Sequence, residues 1–138
     1  MPSPETGVRP VLTVVDAANV VGARPDGWWK DRAGATRRLL DALTRLPVGE
    51  EDFVLVVEGA ARVGVPAGDV GRVRVVHADR SGDDAIVVTV QDAKAADSSR
   101  PVAVVTADRE LRERVREAGA EVIGPRTLWA RLDAPAKS

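Results

Sequence analysis

The sequence predicts an α/β protein: a three-layer α/β/α sandwich around a mainly parallel central sheet. Two observations carry that prediction. Short runs rich in β-branched residues recur along the chain: "VLTVV" at 11–15, "FVLVV" at 53–57, "VRVV" at 73–76, "VAVVT" at 102–106 and, more weakly, "EVI" at 121–123. Helical patterns separate them, and runs apolar at nearly every position suit parallel strands covered on both faces.

After the first strand, "DRAGATRRLLDALTRL" (31–46) sets Leu39, Leu40, Leu43 and Leu46 on one stripe and predicts a helix. The second strand follows at 53–57, and "GVPAGDVGRV" (64–73), with its glycines and proline, reads as a loop before the third. "DDAIVVTVQDAKAADSS" (83–99) is predicted helical, because its length and the Ile86, Val90, Ala93 spacing outweigh the β-branched "AIVVTV" within it. Beyond the strand at 102–106, "DRELRERVREAGA" places Leu111, Val115 and Ala118 on one face, offers Glu110 and Arg114 as an i, i+4 pair, and ends at Gly119. "PRTLWARL" (125–132) closes the chain as a short helix.

The 138 residues suit one domain, predicted over 10–133, with a disordered lead-in at 1–9 and a tail at 134–138. Hydrophobic residues at 44% and charged residues at 30% are globular values, and the absence of cysteine excludes disulfides and thiolate metal sites. The N-terminal stretch has no apolar core of a signal peptide and no run is long enough to span a membrane, so the expected location is the cytoplasm. A net charge of −1 gives no global attraction to polyanions, so nucleic-acid affinity would need a local basic patch or metal ions. There is no internal repeat, and nothing in the sequence indicates an oligomeric state.

Acidic residues gather where the predicted strands end. Asp16 follows "VLTVV", Glu58 follows "FVLVV", Asp83 and Asp84 follow "VRVVHADRSG", and Asp108 follows "VAVVT" by one residue. In an open parallel sheet, ligands bind outside these carboxyl ends. Each acid alone has a structural reading: Asp108 as a helix N-cap, Ser81 with Asp84 as a capping box, Asp16 bonded to nearby amides. Together they would repel one another unless a cation sat between them. Oxygen ligands without His or Cys select hard ions, Mg²⁺ or Mn²⁺. Asp16 is then the central ligand, with Asn19 a neutral neighbour that positions water or a phosphate oxygen.

"VVDAANVVGA" resembles the opening strand end of NYN domains, the PIN-like ribonucleases, and is especially similar to the YacP-like subgroup. "SGDDAIV" is similar to that family's acidic helix start, and "VVTADRELRERVREAGAEVIGPRTL" to its strand, acidic loop, helix and closing segment. The three motifs occur in the family's order over about residues 10–132. The resemblance implies a PIN-like sandwich and an acidic, Mg²⁺- or Mn²⁺-dependent nuclease centre acting on RNA. It assigns Asp16, Asn19, Asp84 and Asp108 to the active site, with Asp83 beside them, and offers Glu110 as the counterpart of a second acid that some members carry. Glu58 departs from the pattern, since relatives often have Asp after the second strand.

A divalent ion can activate water and offset charge on phosphoryl oxygens, so hydrolysis needs no protein nucleophile. His77 is the sole histidine, which excludes a histidine-pair ribonuclease mechanism and reads as structural. Arg24, Lys30, Arg32, Arg37, Arg62, Arg80 and Arg109 fall in loops or first turns near the acids; Arg24, Arg80 and Arg109 are the favoured phosphate contacts. Thr106 is a further substrate-contact candidate, able to orient ligand or water. Trp28 and Trp29 could stack on unpaired bases, although packing before the helix at Asp31 is the preferred reading. Two other functions use the same residues: a metal-dependent phosphohydrolase of nucleotides or small phosphates, and a non-catalytic RNA-binding or regulatory module. The chain lacks a "DxD" phosphatase signature, a Walker A loop and a "GxGxxG" turn.

Overall fold

Each of the β-branched runs forms a strand, and one further strand forms inside the predicted loop. The computed structural model describes residues 10–47, 49 and 51–134. The predicted lead-in and residues 135–138 of the predicted tail lie outside the described residues. The strands are β1 (Val11–Asp16), β2 (Glu51–Val57), β3 (Gly68–Val70), β4 (Val73–His77), β5 (Val102–Val105) and β6 (Glu121–Ile123). The α-helices are α1 (Ala17–Gly22), α2 (Arg32–Thr44), α3 (Gly82–Ala96), α4 (Arg109–Glu117) and α5 (Pro125–Asp133).

The sheet order is β3-β4-β2-β1-β5-β6, parallel throughout except for β3, which pairs antiparallel with β4. The loop reading of 64–73 is therefore corrected. Gly68, Asp69 and Val70 are all exposed, so β3 is an edge strand with no buried face, and a sequence test based on alternating burial has nothing to detect.

Alternation within the strands divides the core. Val15, Leu55, Val57, Val75 and Val105 pack under α1, α2 and α5, joined by Leu39, Leu40 and Leu43 of the predicted stripe. Leu12, Val14, Val54, Val56 and Val104 face the opposite layer, where Ile86 and Val90 of α3 and Leu111 and Val115 of α4 cover them. The β-branched α3 segment is thus helical as expected. Each fully buried Val or Leu contributes roughly 1.5–3 kcal/mol, which gives the sheet a margin on which crowded charges can be held. At the end of α4, Gly119 takes φ +102, and the next amide, Ala120 N–H, reaches back to Val115 O at 2.9 Å. That left-handed turn closes the helix where the sequence predicts a stop.

The chain steps from β1 to β2 and β4 on one side, then returns through α3 to β5 and β6 on the other. Strand order reverses between β1 and β5. In this class of sheet, the crevice at the carboxyl ends of two such strands is where ligands bind.

Candidate active site

Asp16 stands at that crevice. It is the last residue of β1 and also the N-cap of α1, its Oδ1 accepting from Asn19 N–H at 3.3 Å. Its Oδ2 accepts from the Thr106 hydroxyl at 3.0 Å. Only 8% of the residue is exposed. Burial, opposed by these two hydrogen bonds and reinforced by Asp83 and Glu58 nearby, pushes its carboxyl up from 3.8 to about 6.

Thr106 ties two acids together. It is completely buried at the end of β5, and the same oxygen that donates to Asp16 accepts from Asp108 N–H at 3.1 Å. With no surface exposed, Thr106 spends its hydroxyl on Asp16 and orients that carboxylate. Asn19 Oδ1 accepts from Ala107 N–H at 2.8 Å, so the asparagine clamps the loop after β5 against the start of α1. Asp108 caps α4, with Oδ1 2.9 Å from Leu111 N–H, and at the same time its charge raises the carboxyl of Asp83.

The third side comes from β2 and α3. Glu58, just past β2, accepts from Gly82 N–H at 2.6 Å, the first amide of α3. A Cβ at position 82 would lie 3.0 Å from Glu58 Oε1, so glycine is what lets the longer acid approach the helix end. Ser81 caps α3 through Asp83 N–H at 3.0 Å. The capping-box reading is thereby corrected, because Asp84 turns outward, 70% exposed, to Arg114 at 3.0 Å. That contact also replaces the expected Glu110–Arg114 pair. Asp83 remains on the inner side, its carboxyl raised by burial first, then by Asp108 and Glu58, with Arg114 opposing.

The arginines divide. Arg24, favoured in the sequence as a phosphate contact, stacks 3.9 Å from the Trp129 ring centroid and pairs with Asp133, both on α5. Arg80 and Arg109 are exposed, at the approach to α3 and in the first turn of α4, and form no ion pair among the described residues. His77 is engaged by the backbone, its ring nitrogen donating to Val65 O at 2.6 Å. The roles of two further arginines were not read from the sequence. Arg112 donates to Thr106 O at 3.2 Å and steadies the end of β5; its spacing of four from the Asp108 cap put it on the same helix face. Arg114 meets an acid 30 positions away, and a single sequence carries no signal for that pairing.

Donors, charge and spacing decide whether this set suits a hard divalent cation. The donors are all carboxylate oxygens, and the neighbouring acids raise the carboxyls of Asp16 and Asp83, a repulsion that a cation would relieve. Among the described residues, no three carboxylates or imidazoles stand close enough to enclose an ion as they lie. Only an ion that keeps much of its water and takes one or two carboxylates would suit such spacing, a mode of binding known for Mg²⁺.

Comparison with known proteins gives the relatives. The chain's fold is similar to two crystal structures of Rae1 (YacP) from Bacillus subtilis. The first, a point mutant, has a TM-score of 0.69 and 17% identity, with 88% of this chain and 74% of that chain covered. The second has the same TM-score at 16% identity, with 88% and 73% covered. No curated protein matches the sequence. The family model described as a YacP-like NYN domain matches residues 13–138, a span that includes every acid described above, and the chain belongs to that family.

Proposed function

We propose that the chain is a metal-dependent ribonuclease that hydrolyses RNA phosphodiester bonds at the strand-end carboxylates. The observation that carries this reading is Asp16: a buried acid at the sheet's reversal point, held by two hydrogen bonds, and lifted to about 6 with Asp83 and Glu58 beside it and no cationic side chain among the causes of its shift. Such a site favours an incoming cation. RNA enters through the sequence resemblance to NYN domains.

Mg²⁺ or Mn²⁺, when bound, would supply activated water and neutralise charge on the phosphoryl oxygens. Asp16 and Asp83 are the residues to hold it, being the two acids whose protonation the site already favours. Thr106 and Asn19 keep the Asp16 carboxylate and the loop after β5 in register. Glu58 faces the centre from the β2 side, and Asp84 and Asp108 add negative charge around it. Arg80 and Arg109, exposed before α3 and in the first turn of α4, are the candidate contacts for phosphates of the substrate strand.

End-labelled RNA incubated with the protein in Mn²⁺, Mg²⁺ or EDTA tests the reading. Cleavage in either metal, its arrest by EDTA and its loss in Asp16→Asn are expected. Undiminished cleavage in EDTA would remove the metal, and turnover of mononucleotides in place of RNA would make the chain a phosphohydrolase.

A further inference from the structure

A cleft of about 330 Å³ opens beside the carboxylates, between α1, α2 and the segment after β2. Trp28, Arg32, Ala18, Glu58 and Arg80 are among the residues that line it. Its wall therefore includes both an aromatic ring and one of the site's own acids. Its size falls at the lower end of the range for small-ligand pockets, roughly 300–1,000 Å³.

The ring is held in place. Trp28 packs on the core under α1 and α2, and Trp29 meets it edge-on with centroids 5.9 Å apart and planes at 87°. The preferred packing reading of Trp28 is thus correct, yet its ring still forms part of the cleft wall. The Arg32 guanidinium lies 5.2 Å from the Trp28 centroid. Neither Arg32 nor Arg80 forms an ion pair among the described residues, so both are available to an anion. An aromatic ring, two cations without an ion-pair partner among the described residues and a nearby acidic centre are the complement of one nucleotide of a longer strand.

We propose that this cleft is a base-binding slot, taking one unpaired nucleobase against Trp28 and the adjoining phosphate at Arg32 and Arg80, and so seating the next phosphodiester over the carboxylates. A base held in a duplex cannot enter it, so the slot selects single strands. The slot deepens the ribonuclease reading and rests on it for the identity of its ligand.

The test reads binding of a fluorescein-labelled tetraribonucleotide to the full chain in EDTA, where nothing is cut, alongside the same tetranucleotide made abasic. Trp28→Ala should weaken binding of the intact ligand roughly tenfold and leave the abasic ligand unchanged, while Trp28→Phe should restore most of the affinity. Arg80→Gln, an exposed change that leaves the core alone, should weaken both ligands alike. Equal losses on the two ligands in Trp28→Ala, no loss at all, or no rescue by phenylalanine would overturn the slot. Should Trp28→Ala fail to fold, an unchanged Trp28→Phe together with weaker binding of the abasic ligand by the unaltered protein supports it. Equal affinity for the two ligands overturns it. Base-dependent binding by a protein that cleaves no RNA would sink the nuclease reading and spare the slot; metal-dependent cleavage with base-independent binding would do the reverse.

Discussion

The two ends of the sheet treat acids in opposite ways. At the amino end, Glu51 and Asp52 open β2; Glu51 accepts from Arg131 at 2.7 Å and from the Thr13 hydroxyl, and Asp52 from Arg72 and Arg100 at 3.2 and 3.0 Å. Burial pushes Glu51 up, but Arg131, Thr13 and Arg72 outweigh it and hold the carboxyl below its usual range. At the carboxyl end, Asp16 also has a threonine, Thr106, yet no arginine, and burial wins. A threonine hydroxyl on a carboxylate is common to both ends; the paired arginine is what separates an acid whose charge is balanced within the fold from one whose charge is not.

The largest effect should come from breaking one acid at each end. Asp16→Asn should lower cleavage in Mn²⁺ by more than about a hundredfold, on the scale of losses at metal sites, while leaving the fold intact. An amide can still accept from Asn19 N–H and donate to Thr106. Glu51→Gln should leave cleavage unchanged but cost about 1–3 kcal/mol, because two charge-assisted contacts lose their acceptor charge. Cleavage rates and urea unfolding of the two variants check this, and a reversal of the pattern would erase the distinction between the ends.

The ends should also answer pH with opposite signs in metal-free protein. Asp16 has its folded pKa raised, so its contribution to stability is fully present below about 4 and is lost as pH rises through about 6. A rise from 3.8 to about 6 corresponds to about 3 kcal/mol at neutral pH. Glu51 is depressed, so its contribution is present above the ordinary glutamate pKa and is lost as pH falls through the lower folded value. Denaturation in EDTA should therefore show wild type losing stability relative to Asp16→Asn between about pH 4 and 6, with a constant gap above. Parallel curves for the two proteins would mean that Asp16 carries no such penalty.

What could be read in advance follows the same division. The parallel strands, the helices and the carboxyl-end acids announce themselves through local pattern: a β-branched run with an Asp at its end is a one-dimensional signal. The short helix α1, over "AANVVG", was not expected, since six residues are under two turns and its buried Ala17, Val20 and Val21 follow on from the strand. Strand β3 left no burial pattern to find. The tertiary partners were equally hidden. Arg24 lies eight residues from Asp16 yet turns to Trp129 and Asp133 on α5, and Asp84 leaves its own helix turn for Arg114. Nearness in sequence to an acid predicted neither arginine's partner, because side chains of that length choose among neighbours that only the fold supplies.

Asp108 offers the finest comparison, since it combines both kinds of acid in one side chain. One oxygen caps α4, a structural task like those at the amino end; its charge raises Asp83, which belongs to the crowded end. Asp108→Ala removes both roles and should cost about 1 kcal/mol through the lost cap. Asp108→Asn keeps a cap oxygen for Leu111 N–H and removes only the charge, so without metal it should melt at or above the wild-type temperature. Added Mn²⁺ should then separate the proteins. Stabilisation grows as RT ln(1 + [L]/Kd), about 2.7 kcal/mol at a hundred times Kd, and a tenfold weaker Kd removes about 1.4 kcal/mol of it. Thermal unfolding across a Mn²⁺ series reads both quantities. Equal metal-induced shifts in wild type and Asp108→Asn, with cleavage retained, would reduce Asp108 to a cap and confine the cation's partners to Asp16, Asp83, Asp84 and Glu58.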